Sequence, residues 1–378
     1  MSVDLRELLA IGARAGASDV HITAGAAPLM RVDGDLVPIT GHHEVLDEGW
    51  VRGAAFELMG DGQRTEFEER HEVDLAHAAE GIGRFRVNVF RQLGSIAMAL
   101  RFIPEKVFTL EQLGAPAIAH DLALRPRGMV LLTGPTGSGK STTLTAMVDI
   151  INNTRPVHIV TIEDPIEFHH TSRRALIHQR EVGSDTNSFA EALRRVLRQD
   201  PDVILVGELR DPESIMTALS AAETGHLVLS TLHTQGAAKS VNRIVDVFPA
   251  DQQHQIRTQL GDTLQGVISQ TLLPRAQSNG RTIATEVLVN TPAVANLIRE
   301  GQVAQLYTAM QAGASDGMHT LDQDLRRLVG TGQVSAAVAR TFASDPASLD
   351  GVTVHANDFD AESWTHFAVD HQLKEWGS

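Results

Sequence analysis

The spacing of apolar residues changes several times along the chain, and each change predicts a different element. From Met1 to Leu9 the apolar residues recur at helical spacing around Asp4, Arg6 and Glu7. That pattern predicts an amphipathic helix and not a signal peptide. Short alternating segments follow at Ser18–Ile22, Leu29–Val32 and Leu36–Ile39, the last two joined by a hairpin turn at Asp33-Gly34-Asp35. Gly83 to Arg91 alternates polar and apolar with period two, and Ile96 to Ile103 reads as a further strand. Residues 1–104 thus predict a small α+β domain with one solvated sheet face. Residues 105–127 read as an inter-domain linker and hinge, containing Leu110–Leu113 and a short helix around Ala117–Leu124.

From Gly128 the pattern becomes strand, glycine loop, helix, then continuous apolar strands at Val157–Ile162, Val203–Val206 and Leu227–Ser230. Continuous apolar strands separated by helices predict a parallel sheet covered on both faces. The second domain, 128–345, is therefore expected to be a three-layer α/β nucleotide-binding core, with helices taking over after about Ala250. Residues 346–378 read as a flexible acidic tail: Asp350, Asp358, Asp360, Glu362, Asp370 and Glu375 stand against Lys374, beside Trp364 and Trp376.

Composition narrows the chemistry. The 378 residues suit two domains, and the absence of cysteine removes disulfides, thiolate nucleophiles and cysteine-ligated zinc. No uncharged apolar run is long enough to span a bilayer, so membrane contact is expected to be peripheral. A net charge of -15 opposes nucleic-acid binding, and no nucleic-acid partner is expected.

Gly134-Pro135-Thr136-Gly137-Ser138-Gly139-Lys140-Ser141 matches GxxxxGK[ST] between an apolar strand and a helix expected to begin near Thr142. Its backbone N–H groups are expected to surround phosphates, Lys140 to neutralise the β and γ oxygens, and Ser141 to ligate Mg²⁺. Glu163-Asp164 and Glu208 stand at the C-terminal ends of two predicted strands, where ligands bind in parallel sheets. Glu208 is expected to activate the attacking water. Gly207 stands where an aspartate is usual, which leaves Glu163 for the Mg²⁺ side, through water. His226 and His233 flank the strand Leu227–Ser230 and are read as γ-phosphate sensors. No third ligand stands at zinc spacing, and packing is their alternative role. Arg84 and Arg86 share one sheet face, with Arg91 and Arg101 nearby. A phosphoryl-transfer motor needs such a cation from outside the nucleotide domain.

Together these segments resemble the secretion-type ATPases, and among them the PilT family of type IV pilus retraction motors. The resemblance runs from Leu5 to about Phe342. It rests on Gly16–His21, Arg84–Asn88, the phosphate loop, Thr161–Phe168, Gly207–Asp211 and the segment Thr224–Thr234. It implies a PAS-like N-terminal domain, a RecA-like ATPase domain and a homohexamer. It also implies ATP with Mg²⁺ bound between the domains, and Arg86, Arg101 and Arg84 closing onto the phosphates. The expected partners are a PilC-like inner-membrane platform protein and paralogous retraction or assembly ATPases. The expected location is the cytoplasmic face of the inner membrane.

Related assembly ATPases carry a further N-terminal domain and a tetracysteine subdomain, and this chain has neither the length nor the cysteines for them. The family's retraction motif AIRNLIRE corresponds to Ala293–Glu300, where the LIRE end is kept and Ala295 replaces the first arginine. The competing readings are an accessory retraction-type paralogue, an assembly or type II secretion ATPase, a nucleic-acid motor and a regulatory module without turnover.

Overall fold

A computed structural model describes residues 4–32, 35–103, 107–276 and 280–352. The chain divides into two compact units, Met1–Lys106 with Glu167–His169, and Val107–Ile166 with the chain from His170 onward.

The first unit is built on one sheet. Helix α1 (Leu5–Arg14) is N-capped by Asp4 and precedes β1 (Asp19–Thr23), β2 (Leu29–Val32) and β3 (Asp35–Pro38). Helices α2 (Glu48–Leu58) and α3 (Asp61–Arg70) then lead to β4 (Glu72–Ala79), β5 (Gly83–Gln92) and β6 (Ser95–Ile103). The order is β3-β2-β1-β6-β5-β4, and every pairing is antiparallel. The period-two pattern decides which face is which. Phe85, Val87 and Val89 are buried against Leu8 and Leu9 of α1, Val51 and Ala55 of α2, and Phe67 of α3. Arg84, Arg86 and Asn88 take the other face. The Asp33-Gly34 part of the expected hairpin turn lies outside the described residues, although β2 and β3 pair as anticipated.

In the second unit the apolar strands form one sheet of seven. They are β7 (Gly128–Thr133), β8 (His158–Glu163), β9 (Leu176–Glu181), β10 (Val203–Val206), β11 (Leu227–Leu232), β12 (Leu264–Pro274) and β13 (Arg281–Val289). The order is β13-β12-β7-β11-β10-β8-β9, parallel throughout except for β13, which pairs antiparallel with β12. Every residue of β7, β10 and β11 is buried, so both sheet faces are covered.

The helices of this unit are α4 (Leu110–Leu113), α5 (Ile118–Ala123), α6 (Lys140–Thr154), α7 (Phe189–Val196), α8 (Pro212–Glu223), α9 (Ala237–Asp246), α10 (Gln253–Thr263), α11 (Pro292–Arg299), α12 (Val303–Ala312), α13 (Leu321–Gly330) and α14 (Ala336–Phe342).

Three expectations need correction. The stretch read as a linker is core: Leu110, Ala115, Ala119, Leu122 and Ala123 are buried in the same cluster as the sheet. Helices do not take over after Ala250, because β12 and β13 extend the sheet. Their β-branched Val267, Ile268, Ile283, Val287 and Val289 favour strand, while the interspersed Ser269, Gln270 and Thr285 obscure the apolar run. The tail begins later than 346, since Pro346–Leu349 forms a 3₁₀ turn that buries Leu349. Leu349 joins a satellite core with Leu273 of β12, Ala284 of β13, and Leu325, Leu328 and Ala339 of α13 and α14. Trp364, Trp376 and the acids beyond Asp350 lie outside the described residues.

Candidate active site

The phosphate loop leaves β7 between its neighbours β11 and β12. Gly134, Gly137 and Gly139 have φ of 136°, 76° and 87°, values that L side chains rarely adopt. A Cβ on Gly134 would also collide with the main-chain oxygen of Gln270. Gly139 caps α6, which begins at Lys140, two residues earlier than the sequence suggests. The first-turn N–H groups of that helix have no partner one turn back, so they and the helix dipole favour an anion. Lys140 is folded onto its own loop, 8% exposed, and its Nζ donates to the Gly134 and Pro135 carbonyls at 3.0 Å each. Thr136 and Gly137 face solvent, Ser138 is buried, and Ser141 and Thr142 are half-buried.

The carboxylates arrive from the strands beyond β11. Glu208 follows β10, two strands from β7, which at about 4.8 Å per strand is roughly 10 Å sideways. Glu163 ends β8, one strand further out. Glu208 is 12% exposed; it is paired with Arg210, and its Oε2 lies 2.9 Å from His233 Nε2. The loop carrying it is stitched to β11, with Ser230 Oγ donating to Val206 O at 2.7 Å and Thr231 Oγ1 to Gly207 O at 2.6 Å. Gly207 is also closely packed. A Cβ there would stand 3.3 Å from Ile162 O and 3.5 Å from Glu163 Cα. Glu163 Oε1 accepts from Thr161 Oγ1 at 2.6 Å and Gln179 Nε2 at 3.2 Å.

His233 sits on a short connection that is pinned at its far end. Gly236 N donates to Ser269 Oγ at 2.9 Å, and Ala237 N donates to Glu286 Oε1 at 2.6 Å. Burial pushes the Glu286 carboxyl above its ordinary range, against the pull of the N–H groups of Ala237 and Leu321.

His226 is a correction. It precedes β11, whereas His233 follows it, so the two stand at opposite edges of the sheet. Seven residues at about 3.3 Å each separate them by roughly 23 Å. The His226 ring is 2.9 Å from Ala221 O at the C-terminal end of α8, the packing role. It cannot sense a phosphate held at the loop.

The arginines form a group of their own on the first unit. Arg86 and Arg101 are direct cross-strand partners, Asp19 faces Arg101 from β1, and Arg31 faces Asp19 from β2. All four therefore share one face. Arg101 Nε donates to Asp19 Oδ1 at 2.8 Å, Arg86 lies 3.7 Å from Asp74, and both guanidiniums stay exposed. Burial alone would raise the Asp19 carboxyl. Hydrogen bonds from Arg101 and Ser18, with the arginine's charge, hold it below the ordinary value instead. Arg84, two residues before Arg86, lies on the same face.

Arg210, Thr161, Gln179 and Gln270 escape a reading of the sequence alone. Arg210 stands in a recognised motif but has no role there, and the other three are polar residues on strands.

The profile of type II/IV secretion system proteins matches residues 13–350. The type IV pilus retraction ATPase PilT of Pseudomonas aeruginosa is 52% identical over 347 residues, covering 92% of this chain and all of that protein. The type IV pilus ATPase PilU of the same organism is 41% identical over 95% of this chain and 94% of its own length. The crystal structure of the pilus retraction motor PilT with bound ADP superposes with a TM-score of 0.86 at 44% identity, covering 92% of this chain and 99% of that one. With a match across most of its length, the chain belongs to the type II/IV secretion system protein family.

Proposed function

We propose that the chain is the ATP-hydrolysing motor of type IV pilus retraction. The observation that carries the reading is the pairing of a complete phosphate loop with Glu208. That carboxylate is held at the same sheet edge by His233 and Arg210. The loop and Lys140 bind the triphosphate. Glu208 orients the attacking water and accepts its proton, and His233 steadies the carboxylate while lying within reach of the terminal phosphate.

Mg²⁺ suits the oxygen donors present, the Ser141 hydroxyl and, through water, Glu163. Among the described residues no group of three or more His, Asp or Glu forms a metal cage. Arg86, Arg101 and Arg84 supply the cations that neutralise charge developing on the γ-phosphate.

The first unit is PAS-like and the second RecA-like, and six copies form a ring. Turnover around the ring drives a PilC-like platform protein at the inner face of the membrane, so that pilins leave the fibre base. No described helix is long and apolar enough to cross a membrane. An accessory role is the second reading. It is favoured by the similarity to PilU and by Ala295, buried in α11 where the retraction motif has an arginine.

The test has two parts. Lys140→Ala abolishes nucleotide binding, while Glu208→Gln binds nucleotide and loses turnover; undiminished hydrolysis by Glu208→Gln overturns the catalytic assignment. Deletion of the gene in its host leaves surface pili accumulating if the motor retracts, normally levelled if it is accessory, and missing if it assembles.

A further inference from the structure

Gln270 lies on β12, beside the phosphate loop and outside every motif that marks the chemistry. Its side chain is 1% exposed, and its Nε2 donates to the Ser138 carbonyl at 2.8 Å. Its Oε1 is buried with no hydrogen-bond partner. An amide buried with its acceptor unmet is a net liability for folding, because the desolvation of that oxygen is not repaid. The side chain is therefore poorly explained as core.

Its geometry toward the loop is specific. The Gln270 main-chain oxygen abuts Gly134 at the start of the loop, and its Nε2 lies 3.2 Å from where a Gly139 Cβ would be at the end. One residue thus touches both ends. A trans peptide points its carbonyl and the following N–H in opposite directions. Gripping the Ser138 carbonyl consequently fixes the direction of the Gly139 N–H, pointing it away from β12. Gly139 has φ of 87° and caps α6, and no side chain of its own closes that cap.

We infer that Gln270 is a positioning residue for nucleotide binding, acting through the Ser138–Gly139 peptide to hold one phosphate-binding N–H in place before the nucleotide arrives. The inference rests on the reading of this loop as the nucleotide site and adds a residue from a different strand to it. Gln270 touches no substrate. Its effect is on the shape of the loop, so it belongs to affinity and not to the chemical step.

The experiment compares full-length wild type, Gln270→Met and Gln270→Glu in three measurements: titration with ADP, steady-state ATP hydrolysis, and thermal unfolding without nucleotide. Methionine keeps the length and shape of the side chain and removes both polar ends. Gln270→Met is expected to weaken ADP binding about tenfold and raise KM in parallel. Its kcat should stay within about threefold of wild type, and its unfolding midpoint should be equal or higher.

Gln270→Glu turns a carboxylate oxygen toward the Ser138 carbonyl. It should bind ADP more weakly still near pH 8 and recover part of its affinity toward pH 6, where a protonated carboxyl donates again. Unchanged ADP affinity in Gln270→Met, or affinity lost only together with a lowered midpoint, overturns the inference. A wild-type protein that binds no ADP would instead overturn the nucleotide reading itself.

Discussion

The two edges of the parallel sheet use the same residue types for opposite ends. At the C-terminal edge Lys140 opens α6 with its Nζ on the carbonyls of its own loop, and Glu208, on a loop stitched to β11, meets the His233 ring at 2.9 Å. At the N-terminal edge His226 spends its ring on the last turn of α8. His158 likewise donates its ring to Asp200 O and meets His178 at 3.0 Å, while Asp202 accepts from the His158 N–H. Histidine and aspartate there close the ends of elements. The lesson is that strand polarity, more than residue type, separates chemistry from carpentry in this fold.

Substitutions at the two edges should therefore diverge. The largest effect is expected for Glu208→Gln, with turnover lowered by about a thousandfold and ADP affinity within about threefold, read by ATPase assay and titration. His233→Ala removes the partner that steadies Glu208 and should lower kcat by about ten- to a hundredfold.

A pH effect comes next. Burial depresses the pKa of His319, outweighing the nearby Asp324, so the unfolded chain takes the proton more readily than the folded one. Stability is intact above about pH 6.5 and declines as pH falls below it. His319→Asn should flatten that decline in thermal unfolding between about pH 6.5 and 5, while wild type keeps it. The smallest effect is expected for His226→Ala. Its kcat should stay within about twofold, with about 1 kcal/mol of stability lost in chemical denaturation. A hundredfold loss of turnover in that variant would break the comparison outright.

Much of this site was legible from spacing alone. The phosphate loop and the acids Glu163 and Glu208 need only a short pattern and the rule that ligands gather where parallel strands end. His226 differs, and the sequence carries the signal: a residue that precedes a parallel strand stands at the far edge from one that follows it. Gln270 was harder to find. Strand β12 buries Ser269 and Gln270 among its apolar residues, so its pattern fits neither the alternation of a half-exposed strand nor the run of a buried one. The hydrogen bonds that make those polar residues tolerable are long-range, and Gln270 reaches a loop 132 residues earlier. The stretch 105–127 reads as a tether because it holds only short helices between prolines, and spacing does not show that their alanines are buried in the sheet's core.

Strand β12 carries one further consequence. Gln270 bears on the phosphate loop, and Leu273, three residues on, is buried among the helices α13 and α14. About 10 Å of extended backbone therefore joins the two. Such a strand is stiff along its length, and it acts as a tie-rod. A displacement of α13 or α14 would thus reach the Gly134 end of the phosphate loop through three residues of a hydrogen-bonded strand.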